Sequence, residues 1–142
     1  MAENNASGII RISFGDYTAV NGFSFGGFPN GSYKSALGWY NGNTDLTWTT
    51  YLAYFNVGTY TAGLEGVRGA THGILDLDLD GVEVGTYDFF GAAATLHVAR
   101  MTGIAVAAAG IKTVRIRTHG RNGGSGGWTL CLANSLMFWR TA

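Results

Sequence analysis

The sequence predicts an all-β protein, an antiparallel β-sandwich in a single domain over residues 1–142. Three observations carry that expectation. Apolar side chains recur at every second position in several stretches, the period of a strand with one buried and one wet face. The chain holds 23 glycines but one proline, and the glycines are scattered between apolar stretches, as short strands joined by tight turns require. Gly-Asn, Asp-Gly and Asn-Gly pairs, strong short-range turn signals, fall between these stretches.

Taken in order, "IIRISF" (9–14) alternates Ile10, Ile12 and Phe14 against Arg11 and Ser13. The stretch 15–43 differs: it is glycine-rich, and Phe23, Phe25, Phe28, Tyr33, Trp39 and Tyr40 are interleaved with the glycines. It reads as a long loop, or several short strands and bends, within the same domain. "GILDLDLDG" alternates Leu75, Leu77 and Leu79 against Asp76, Asp78 and Asp80. With Asp80 and Gly81 at the centre of a type I′ turn, strands run over 74–79 and 82–87. "GAAATLHVARMTG" (91–103) fits a short helix by its alanines. Its Leu96/Val98 and the following Ile104/Val106 also alternate, and strand is preferred because a lone helix in an all-β surround has little to pack on. "KTVRIRTHG" places Val114 and Ile116 on one face and Arg115 and Arg117 on the other, with Lys112 out of phase. "WTLCLANSLMFWR" supplies two further strands, with Trp128, Leu130 and Leu132 on one face.

Composition excludes several classes. Nine basic residues balance nine acidic ones, which argues against the basic excess of nucleic-acid and anionic-membrane binders. A 46% hydrophobic content with 13% aromatics sustains a core, against disorder. The longest apolar runs, such as "GIAVAAAGI", are too short for a helical span, so no membrane insertion is expected. "MAENNASG" has neither a basic region nor an apolar core, so a chain made and kept in a cytoplasm until assembly is expected. Cys131 is the lone cysteine and reads as a small buried hydrophobe.

The aspartates are the obvious candidates for chemistry. Neighbours on one face of a strand sit about 6–7 Å apart, a spacing suited to flanking a glycosidic bond or sharing calcium. Hydrolysis needs one carboxyl of raised pKa, which the wet face of a hairpin does not supply. Calcium needs six to eight converging oxygens, and a strand offers two in line. Asp76 and Asp78 therefore read as a solvated or salt-bridged face, with Arg115 and Arg117 as cross-strand partners worth ~0.2–1 kcal/mol each if the strands are neighbours. His72, His97 and His119 are too far apart for a local metal signature, and Ser125 in "GGSGGW" lacks the strand and helix of a nucleophile elbow. No catalytic residues, no metal and no cofactor are expected.

About residues 57–141 resemble a module of bacteriophage tail-fibre and other virion proteins. The residues carrying the likeness are "VGTYTAGLEGVRGATHGILDLDLDGVEVGTYDFF" and "GIAVAAAGIKTVRIRTHGRNGGSGGWTLCLANSLMFWRT". Cys131 and "ANSLMFW" depart from its pattern. The resemblance implies a jelly-roll sandwich, frequently a homotrimer, located in the virion and partnered by other virion proteins. Charged residues make up 13% of the chain, about half the usual share, which suits a surface buried against identical subunits. The function expected on this basis is non-enzymatic: a trimeric fibre or knob, or a capsid-decorating cement module, with receptor binding as an added role. The alternative is a lectin-like carbohydrate-binding module taking a cell-surface glycan. Its candidate ligand residues are Trp39 and Tyr40 with Asn41 and Asn43, and Asn122 with Trp128, because sugar faces stack on exposed rings and short polar side chains hold hydroxyls.

Overall fold

The computed structural model describes residues 3–4, 8–25, 38–40 and 45–142, and for 3–4, 23–25, 38–40 and Asn134 the backbone alone. Twelve strands lie among these residues: β1 (Glu3–Asn4), β2 (Ile9–Ser13), β3 (Ala19–Asn21), β4 (Phe23–Phe25), β5 (Gly38–Tyr40), β6 (Trp48–Phe55), β7 (Gly58–Arg68), β8 (Ile74–Leu79), β9 (Val82–Asp88), β10 (Thr95–Val106), β11 (Gly110–Thr118) and β12 (Cys131–Arg140). The glycine- and aromatic-rich stretch contributes the short strands β3, β4 and β5. Of the stretch 91–103, which fits either helix or strand by sequence, residues 95–103 lie in β10 and 91–94 precede it; β7 is the partner of β10 over nearly its whole length.

Two antiparallel sheets face each other as a jelly-roll sandwich. One runs β3-β6-β11-β8-β9. In the other, β12 pairs with β7 along one edge, and along its other edge with β2 and β5 in turn. β10 lies outside β7, while β1 and β4 lie outside β2 and β5. Within "WTLCLANSLMFWR", residues 131–140 form one strand rather than two, because a bulge between Ala133 and Leu136 absorbs the break in its alternation, and residues 128–130 precede it.

The inward-facing alternate residues fill the space between the sheets. Ile10, Ile12, Phe14, Leu75, Leu77, Val114 and Ile116 are all fully buried. Phe55 meets Tyr60 and Phe138 edge to face, with ring centroids 5.3 and 5.0 Å apart. Burial pushes the Cys131 thiol up to about 12, which makes it a packing group. The Asp80-Gly81 hairpin forms as the pair requires, with φ of 49° and 82° at its two central residues.

Candidate ligand-binding faces

The outer face of the five-stranded sheet carries the acidic stripe. Register places Arg115 opposite Asp78 and Arg117 opposite Asp76. Asp78 Oδ2 accepts from Arg115 Nε at 2.8 Å and from Arg117 Nε at 2.9 Å, with Arg115 Nη2 at 2.7 Å. Asp76 Oδ2 meets Arg117 Nη2 at 3.1 Å and His119 Nδ1 at 2.7 Å. The salt-bridged half of the expectation holds, and the solvated half is corrected. Asp76 and Asp78 are only 3% and 1% exposed, because the arginine side chains lie over them and exclude water, with Glu83 reaching Arg117 from β9 at 3.3 Å. These carboxylates are paired with fixed cations, an arrangement that ties β8 to β11.

The loop end holds two of the residues expected to bind sugar. Asn122 gives its amide to Asp88 Oδ2 at 2.9 Å, and its oxygen accepts from the Gly124 backbone at 3.0 Å. These two bonds clasp the turn before β12 and leave one amide N–H and one oxygen lone pair of Asn122 uncommitted. Trp128 is half-buried against the core, and the Arg121 guanidinium sits 4.2 Å from its ring centroid. Trp39 and Tyr40 belong to β5, where Trp39 stands opposite Cys131; Asn41 and Asn43 lie outside the described residues. His72, at the same end, is buried with neither ring nitrogen hydrogen-bonded, and burial lowers its pKa below 6.5.

The outer face of the other sheet carries an open groove of about 510 Å³. Cross-strand pairing sets one row of residues across four strands: Arg11 on β2, Met137 on β12, Gly63 on β7 and Arg100 on β10. Trp139, two residues along β12 on the same face, lays its ring over Gly63. A Cβ at that glycine would stand 2.9 Å from two ring carbons, so the missing side chain is what makes room for the indole. Arg100 places its guanidinium 5.5 Å from the ring centroid. Arg11 Nε donates to Ser135 Oγ at 3.4 Å, and Glu65 lines the groove beyond them. An aromatic platform among exposed hydrogen-bonding groups results, a surface able to stack a flat apolar face and hold its polar rim.

No protein-family profile matches the sequence, and no curated protein matches it. Solved structures do. The CBM36-1 domain of a multidomain xylanase from the hindgut metagenome of Trinervitermes trinervoides is similar at TM-score 0.67 and 17% identity, over 94% of this chain and 98% of that one. A carbohydrate-binding module CBM36 in complex with calcium and xylotriose is similar at TM-score 0.65 and 19% identity, over 90% and 98%. A Paenibacillus xanthan lyase is similar at TM-score 0.67 and 20% identity; the match covers 88% of this chain and spans 12% of the lyase. At these identities the likeness establishes the fold.

The comparisons correct the virion reading. Solved structures that match nearly end to end are carbohydrate-binding modules and not tail-fibre modules, so the fibre, knob and capsid-decorating roles have no support, nor do the homotrimer and virion partners expected with them. The reason is physical. The quoted motifs are turn and core signals that any jelly roll needs, and they say nothing of what the outer faces touch.

One of these structures holds calcium. Among the described residues, the single grouping of acidic and imidazole ligands close enough to share an ion is Asp76, Glu83 and His119. Arg117 already sits within it, 3.1 Å from Asp76 and 3.3 Å from Glu83. A divalent cation would have to displace that guanidinium, so these residues do not fit calcium.

Proposed function

We propose that the protein is a non-catalytic carbohydrate-binding module whose ligand lies in the groove on the β10-β7-β12-β2 face. The observation that carries this reading is Trp139 held over Gly63, between the polar and cationic side chains of neighbouring strands. A pyranose ring has an apolar face and an equatorial belt of hydroxyls, and this surface offers a complement to each. The likeness to carbohydrate-binding modules supports the same reading. So does the charge layer of the opposite sheet, where both buried carboxylates are paired with cations.

Affinity electrophoresis in gels cast with soluble polysaccharides tests the proposal. Trp139→Ala is expected to abolish retardation, a loss of about 2 kcal/mol or more, some thirtyfold in Kd. Trp128→Ala and Trp39→Ala probe the loop end and β5. If retardation persists in Trp139→Ala and vanishes in either of the other two, the ligand sits there and the groove is not the site.

A further inference from the structure

We infer that the groove selects an acidic polysaccharide, one bearing uronate carboxylates, with Arg100 as the group that reads the charge. The inference rests on the carbohydrate-binding reading and adds the class of sugar. Among the described residues the arginines and lysines that pair with an acidic side chain, Lys112, Arg115 and Arg117, all lie on the opposite sheet. Arg100 is exposed, makes no ion pair with a described residue, and is held beside the Trp139 ring. Its row neighbour on β7 is Gly63, which offers no side chain to compete for it. A guanidinium resting near an indole keeps its planar fork of N–H groups in place, and that fork matches a carboxylate with two parallel hydrogen bonds. Arg11 stands at the other end of the same row, three strands away.

The opposing charges do not cancel this. Glu65 lies in the adjacent row, opposite Ala133 and Val98, and Glu3 pairs in register with Arg11 on the edge strand. Both leave Arg100 on β10, with the indole beside it. A neutral glycan would gain stacking and ordinary hydrogen bonds there. A uronate adds a charge-assisted pair at the edge of the platform, roughly twice the strength of a neutral bond.

The test sets polygalacturonate, glucuronoxylan and alginate each beside its carboxyl-reduced form, in calorimetry and affinity electrophoresis. The expected result is tighter binding to at least one acidic polymer than to its reduced form, weakened by salt and falling about tenfold in Arg100→Gln. Lys112→Gln removes one positive charge from the opposite sheet and is expected to change nothing, which separates a local contact from net charge. Equal binding to acidic and reduced polymers, or an acidic preference that survives Arg100→Gln, overturns the inference and leaves the carbohydrate-binding reading standing. Absence of binding to all six polymers and to neutral glucans, mannans and xylans overturns both.

Discussion

Replacing Arg117 with methionine tests whether the charge layer is a buried, energetically coupled unit. The substitution keeps most of the apolar stem and deletes a guanidinium that is 17% exposed. Asp78 would lose one of its donors, the bond at 2.9 Å, but keep Arg115. Asp76 would lose the contact at 3.1 Å and keep only His119. The third contact, to the half-exposed Glu83 at 3.3 Å, contributes little. Losing two charge-assisted bonds to carboxylates that stay buried should cost about 3–5 kcal/mol. For a 142-residue chain the unfolding entropy is about 0.3 kcal/mol/K, so Tm should fall by roughly 10–17 °C. Lys112→Met is the internal comparison. Its pair with Asp80 spans 3.3 Å between side chains that are 22% and 50% exposed, and its loss should cost no more than about 0.5 kcal/mol, under roughly 2 °C. Scanning calorimetry of the two variants beside the parent protein measures both. If Arg117→Met falls within 2 °C or so of Lys112→Met, the layer behaves as surface pairing and the argument from burial is wrong.

The same geometry yields other expectations. Gly66→Ala would put a Cβ 2.6 Å from a ring carbon of the fully buried Phe89 and 3.0 Å from the Cys131 carbonyl; urea titration should show a loss of about 3 kcal/mol. Gly81→Ala meets no neighbour within 4 Å and carries only the strain of φ +82°, so it should lose no more than about 1–2 kcal/mol. Burial keeps His72 neutral, with its pKa below 6.5. Because the unfolded chain takes up that proton first as pH falls, the contribution is intact above pH 6.5 and is lost below it. His72→Phe should therefore flatten the fall in Tm between pH 7 and pH 5, and an unchanged slope would count against that origin. With its thiol pushed up to about 12 and the residue 1% exposed, Cys131 should resist alkylation at pH 8 until denaturant is added; rapid labelling of native protein would show that β12 opens.

Much of the sandwich was legible in local pattern, because strand alternation is imposed by the backbone itself. Ile10, Ile12 and Phe14, Leu75, Leu77 and Leu79, and Val114 and Ile116 were all readable as core, and each is buried. The Asp80-Gly81 turn was equally readable, since few residues adopt its left-handed angles without strain. The groove left a fainter trace: Ser135, Met137 and Trp139 alternate against the buried Leu136 and Phe138, which puts an indole on an outer face. Period two, however, sorts side chains between two faces without saying what covers either one. Only the pairing of β11 with β8 decided that Asp76 and Asp78 lie beneath arginines rather than in water. Likewise, only the docking of β7 beside β12 brought Gly63 under Trp139 and Arg100 to its edge. Those neighbours lie far apart along the chain, and strand order is settled by the packing of the whole sheet, a quantity that no local stretch of residues encodes.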